Sequence, residues 1–239
     1  MTQLQPLADD IWTADVPLRV GGMSIGHRMT VVRLAGNALW VHSPLEWSRQ
    51  LAGELAELGE VRHLIAPNLN HDLWLESWRE KSRTALLWGA PGLRERYSGS
   101  HIHITADLSN HPHPEWASVL DQVLIGGMPK VNEVVFFHTP SQSLIVADLV
   151  FNLKGKLDAA TSMLAALNGC SNGLAVTRLF RGAIKDRAQF AQSMQHVLAW
   201  ECERVVVGHG EIVPNGARHL LAMAFAWLPE AFPNGSRGT

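Results

Sequence analysis

The sequence predicts an α/β protein in which helices cover the faces of β-sheet. Three observations carry that expectation. Short runs rich in β-branched and apolar residues, such as residues 28–34, 61–66 and 205–207, are cut off by Gly or Pro as buried strands are. Longer stretches, such as residues 157–167 and 186–200, read as helices, the second with apolar Phe190, Met194, Val197 and Leu198. The two kinds alternate along the chain as two strands, helix, strand, helix, several strands, two helices, strand and helix.

Taken in order, residues 11–14 read as a first strand, and residues 16–26 as a Gly-rich loop aimed at a site or a sheet edge. Residues 28–34 and 39–42 pair through a turn at Ala35-Gly36-Asn37-Ala38. Ser43 fits a helix N-cap and Pro44 the first helical position; Leu45, Leu51, Leu55 and Leu58 follow at helical spacing until Gly59. A strand over residues 61–66 ends in Pro67-Asn68-Leu69-Asn70-His71-Asp72. Residues 73–80 read as helix, 84–89 as strand, 91–97 as a helical turn and 101–105 as strand. Strands over 122–126, 133–138 and 143–148 follow, the last two hinged at residues 139–142. After the helices at 157–167 and 186–200 come a strand at 205–207, Pro214 and a closing helix over 217–228. No linker or fixed-period repeat interrupts this order. One domain over residues 1–239 is expected, its Pro/Gly/Ser tail fraying from about residue 233.

Composition removes several classes of function. Of 239 residues, 46% are hydrophobic and 18% charged, which suffices for a large core. A net charge of −2 and the lack of any basic run argue against nucleic acid as a partner. The longest apolar runs are too short to span a bilayer, and MTQLQPLADD has neither the basic nor the apolar part of a signal peptide. Cys170 and Cys202 read as two free thiols, so a cytoplasmic location is expected. Whether the chain is a monomer or a homodimer is left open. Twelve histidines against one tyrosine raise the prior for a metal, although His101, His103, His111 and His113 sit in a loop-like stretch.

Chemistry-bearing residues gather where apolar strands break. Residues 61–66 lead into Asn68, Asn70, His71 and Asp72; residues 134–137 into His138; residues 144–147 into Asp148; residues 205–207 into Gly208-His209-Gly210. Imidazole and carboxylate are ligands that zinc, iron and manganese accept, and three or four converging suffice. Each alone has a bland reading as a turn, cap or satisfied histidine.

These motifs resemble the metallo-β-lactamase superfamily, in its uncharacterised DUF4336-like branch. Phe137-His138-Thr139-Pro140 is similar to that superfamily's second motif, Ile145-Val146-Ala147-Asp148-Leu149 to its third and Val207-Gly208-His209-Gly210 to its last. Ser43-Pro44, Ala66-Pro67-Asn68 with His71, Pro91-Gly92-Leu93 and the run from Glu133 to His138 suggest the branch. The resemblance implies an αββα sandwich, two mixed sheets flanked by helices, with a metal cleft at one edge. It implies His71, His138, Asp148 and His209 as metal ligands. The first motif departs from the superfamily's His-x-His-x-Asp-His: Ala66 and Asn68 replace two histidines and Asn70 the aspartate, leaving only His71. One divalent ion, zinc before iron or manganese, is therefore expected rather than two.

The function that follows is a mononuclear metal-dependent hydrolase of an ester, lactone or thioester. Asp72 would stand in as base, and Asn68 and Asn70 would contact substrate. Trp74, Trp78 or Trp88 would line the cleft if their rings turn inward, against ordinary core packing. The alternative is a catalytically degenerate relative with a binding or scaffold role. An oxygen-reducing or sulfur-oxidising iron enzyme of the same superfamily would need a fuller ligand set.

Overall fold

A computed structural model describes residues 3–155 and 157–232. Strands β1 (Gln5–Ala8) and β2 (Ile11–Val16) form the first hairpin, and a small hairpin of exposed β3 (Arg19–Val20) and half-buried β4 (Met23–Ser24) follows. Then come β5 (His27–Arg33), β6 (Ala38–His42), helix α1 (Arg49–Leu58), β7 (Glu60–Ala66), α2 (Leu75–Arg79), β8 (Leu86–Gly89), α3 (Leu93–Arg96) and β9 (Ala106–Asp107). These build a seven-stranded mixed sheet in the order β1-β2-β5-β6-β7-β8-β9.

Strands β10 (Leu120–Leu124), β11 (Val134–His138) and β12 (Ser143–Ile145) are followed by α4 (Ala159–Asn168), α5 (Arg178–Gly182), α6 (Arg187–Ala199), β13 (Arg204–Val206) and α7 (Ala217–Ala224). The second sheet runs β10-β11-β12-β13, with β12 and β13 parallel and the other pairs antiparallel.

Side-chain alternation along the strands builds the layers. Trp40, Ile65 and Trp88 point inward from the first sheet and meet Val134, Phe136, Ile145 and Val206 from the second. Leu39, Val41 and Leu64 point outward under Leu51 and Leu55 of α1 and Trp78 of α2. On the far side Val135, Phe137, Leu144 and Val205 lie under Phe190 and Met194 of α6 and Leu221 of α7. The result is an αββα sandwich.

Several elements depart from the sequence expectation. The helix expected from Pro44 begins at Arg49, where the Ser48 side chain accepts from the Leu51 amide and serves as the N-cap. Ser43 instead sits at φ 51°, its hydroxyl 2.9 Å from His71 Nδ1. Residues 101–105 form no strand; the pairing falls on Ala106–Asp107, beside Trp88 and Gly89. The loop at 16–26 contains the β3–β4 hairpin, while β1 and the short α5 lacked a clear signal. The expected fraying of the tail concerns residues outside the described ones.

Phe136 is fully buried between the sheets, edge-on to Trp40 at 4.8 Å. Phe136→Ala should cost about 3–5 kcal/mol, because closed sheets collapse poorly onto a cavity. Urea unfolding monitored by tryptophan fluorescence checks it; a loss under about 1 kcal/mol would contradict this packing.

Candidate metal centre

The ends of β6, β7, β12 and β13 and the start of β5 all reach one edge of the sandwich, as their parallel and antiparallel pairings require. The sheets are stitched together there. Arg28 donates from its backbone to Gly208 O (3.0 Å) and from Nη1 to Val207 O (2.7 Å), and the Val134 amide donates to Pro67 O (2.8 Å). Three residues converge at this edge: His71 after β7, Asp148 after β12 and His209 after β13. One ligand atom of each lies within 4.8 Å of the others. The Nε2 atoms of His71 and His209 are 3.1 Å apart, and Asp148 Oδ1 is 3.6 Å from the first and 3.2 Å from the second.

Hydrogen bonds fix which nitrogen faces inward. His209 Nδ1 lies 2.7 Å from Gly26 O, which only accepts, so Nδ1 carries a proton and Nε2 is the nitrogen turned to the cluster. Ser43 Oγ lies 2.9 Å from His71 Nδ1 and holds that ring in place, as a hydroxyl that can donate to it or accept from it. Burial alone would raise the Asp148 carboxyl, but His71 and His209 outweigh it and hold it well below its ordinary value. Gly208 allows this approach: a Cβ there would lie 2.6 Å from Ala147 O and 2.9 Å from His71 Cε1. Gly210 takes φ 89°, a conformation side chains disfavour.

Asn68 organises the surroundings. Its Oδ1 accepts from the Asn70 and His71 amides at 2.8 and 2.9 Å, so its Nδ2 must face the carboxylates, 2.9 Å from Asp148 Oδ2 and 3.3 Å from Glu133 Oε2. Glu133 is fully buried and also accepts from the Ala147 and Asp148 amides. Burial first, then the Asp148 charge, push its carboxyl up to about 8. Asn70 Nδ2 reaches Asp148 Oδ2 at 3.4 Å.

Two expected site residues stand elsewhere. His138 lies at the opposite end of β11, where the hairpin register sets it against Ser143 and its Nδ1 meets Ser141 Oγ at 2.7 Å. The residue of that strand pair facing the site is Glu133, because an antiparallel hairpin turns only one end toward Asp148. Asp72 borders the cavity, but its carboxylate accepts from Arg96 Nη1 (3.0 Å) and Tyr97 OH (2.9 Å), which pins the loop rather than freeing a base. Trp78 and Trp88 pack in the core, and Trp74 stands edge-on to His27.

His27 was missed by a strand boundary set one residue late. Its ring stacks on His71 at 4.8 Å, and its Nε2 lies 3.2 Å from Ser43 O. Burial, then the neighbouring imidazoles, lower it to about 2, so it stays neutral. The cluster opens into a cavity of about 600 Å³.

The family model for DUF4336, a domain of unknown function, matches residues 8–168. The chain belongs to the DUF4336 family. No curated protein matches it by sequence. Solved structures give the fold of this DUF4336 protein, the metallo-β-lactamase αββα sandwich. The DIM-1 metallo-β-lactamase aligns at TM-score 0.67 and 14% identity, over 96% of this chain and 98% of that one. FIM-1 from Pseudomonas aeruginosa, in its mono-zinc form, aligns at 0.65 and 13%, over 97% of both. The Flv1 flavodiiron core from Synechocystis sp. PCC6803 aligns at 0.66 and 12%, over 95% of this chain and 60% of that one.

Burial outweighs the opposing charge of Asp10 and, with a smaller contribution from Arg204, lowers His138 from its ordinary 6.5 to about 4. The unfolded chain therefore takes up a proton between those values that the folded chain refuses. The stability contributed by neutral His138 is complete above pH 6.5 and falls toward pH 4, by at most about 1.4 kcal/mol per pH unit. His138→Gln should lose less stability between pH 7 and 5 than the native protein, by up to about 2 kcal/mol in urea titrations. Equal losses would refute the assignment.

Proposed function

We propose that this chain is a mononuclear metal-dependent hydrolase, in which His71, Asp148 and His209 hold one divalent cation and the substrate is an ester, lactone or thioester. The observation that carries the proposal is the convergence of His71 Nε2, His209 Nε2 and Asp148 Oδ1 at one buried point. Two ring nitrogens 3.1 Å apart require a proton or a cation between them. A triangle with edges of 3.1, 3.2 and 3.6 Å has its centre roughly 1.9 Å from each corner, close to the distance of about 2.0–2.2 Å that zinc keeps from such ligands. Two nitrogens and one oxygen with a side left open suit catalytic zinc, with iron and manganese as the other candidates.

A cation held there would supply Lewis acidity and a water acidified toward neutrality. The chain's own residues fix the rings through Gly26 and Ser43 and fix Asp148 through Asn68. In the reaction, water adds its oxygen to the acyl carbon, the bond to the leaving oxygen or sulfur breaks, and that atom takes a proton. Asn70 cannot accept a proton, and Asp72 is committed to Arg96 and Tyr97. That shortage of a base favours the second reading, a metal-binding relative that retains the site without turnover.

Asn68 Nδ2 sits between the Asp148 and Glu133 carboxylates as a cation would, which supports one metal rather than two. Purified protein should hold about one equivalent of zinc by elemental analysis, since sites of this kind retain their ion. His71→Ala and His209→Ala should lose it and His138→Ala keep it. Retention by both His71→Ala and His209→Ala, or no uptake on titration, would end the proposal. Asn68→Asp should exchange the amide for a third carboxylate and raise the stoichiometry toward two in excess zinc. A native-like single equivalent would show that Asn68 does not close that position.

A further inference from the structure

The cavity beyond the cluster has a one-sided chemistry. Three stretches supply most of its walls, namely the β3–β4 hairpin with its flanking residues, the loop after β7, and α5 with Thr177, and Phe151 and the cluster close its floor. Leu18, Met23, Phe151 and Phe180 face its interior, and Phe151 also stacks on His209 at 4.9 Å. Among the described residues lining it there is no lysine or arginine. Its two carboxylates are already engaged, Asp148 by the cluster and Asp72 by Arg96 and Tyr97. An anionic group brought into this cavity away from the cluster would find no lysine or arginine to pair with.

The rim continues the same surface outward. Leu179 is 79% exposed, Leu73 55% and Val20 51%, one from each of the three wall segments. Isolated apolar residues on a surface are ordinary, but three around one opening, continuous with an apolar interior, mark a binding track. The track starts at the ligand triad, since His71, Asp148 and His209 all border the same cavity.

We propose that the substrate carries an uncharged aliphatic acyl chain, seated in this cavity with its carbonyl at His71, Asp148 and His209 and its far end at the rim. The assignment rests on the hydrolase reading for the carbonyl, but the chain site stands on the cavity alone. It excludes substrates recognised through a distal phosphate or carboxylate.

Binding and turnover are therefore measured separately on the full chain loaded with zinc. In calorimetry with neutral, non-hydrolysable 2-alkanones of increasing length, affinity should rise about fourfold per methylene until the cavity is filled, the gain expected for burying one CH₂. An ω-carboxylate on the longest member should abolish that gain. Leu179→Asp and Val20→Asp alter exposed positions that folding does not require, and both should flatten the series. In parallel, 4-nitrophenyl esters from acetate to decanoate report hydrolysis. Length-dependent ketone binding with no ester hydrolysis would uphold the chain site and overturn the hydrolase reading. Ester hydrolysis indifferent to length, with flat ketone binding, would overturn the chain site and leave the hydrolase reading standing. An unchanged series in both Asp variants would overturn its location. A dimer by light scattering that Leu179→Asp dissociates, with flat ketone binding, would assign the rim to a second copy of this chain and overturn it as well.

Discussion

The buried carboxamide of Asn68 is the interaction on which the centre depends. It belongs to the loop after β7 in the first sheet, while Asp148 and Glu133 belong to the second. Its oxygen fixes the backbone of Asn70 and His71, and its nitrogen fixes two carboxylates. Four hydrogen bonds from one side chain thus set the position of His71 relative to Asp148 across the sheet interface. Buried amides of this kind are costly to leave partly satisfied, and here both ends are fully used. An aspartate at the same position could accept from the loop amides but would set a third acid against the other two.

The imidazoles obey a similar economy of donors and acceptors. Ser43 serves two of them at once, its carbonyl beside His27 Nε2 and its hydroxyl beside His71 Nδ1. That double service accounts for its positive φ, which a serine adopts only under constraint from its surroundings. His27 then lies stacked on His71 as a neutral ring. A charged ring there would compete with any cation held by His71 and His209, so the burial that keeps His27 neutral also protects the electrostatics of the cluster.

How much was legible in the sequence depended on whether a signal was local. The strands ending at Ala66 and Val206, the acid at Asp148 and the Gly-His-Gly turn announce themselves by composition, and each stands at the edge where the sheets open. The sandwich came from the order of motifs rather than from periodicity. His138 misled because both ends of β11 carry a ligand-capable residue, and only the hairpin register shows that Glu133 faces Asp148 while His138 faces the turn. Ser43-Pro44 imitates a helix start, yet its true partners are 16 and 28 residues away in the sequence. Core packing was the favoured reading of the tryptophans and holds for Trp78 and Trp88, while the apolar cavity is built from leucine, methionine and phenylalanine in segments that local pattern did not connect.

The closed second position and a cavity without lysine or arginine would have one joint consequence for the proposed hydrolysis. With Glu133 and Asn68 occupied by one another, Asp148 is the one carboxylate left to balance a divalent cation in the cluster. Such a centre would keep a net positive charge, facing walls that offer no other cation among the described residues. A neutral acyl substrate gains little from that charge on binding. On the hydrolase proposal, an oxyanion formed as water adds to the carbonyl would gain more from that charge than the neutral substrate does. Selectivity for neutral substrates and preference for the transition state would then share one cause, the absence of any fixed charge in the cavity apart from the cluster and the paired Asp72.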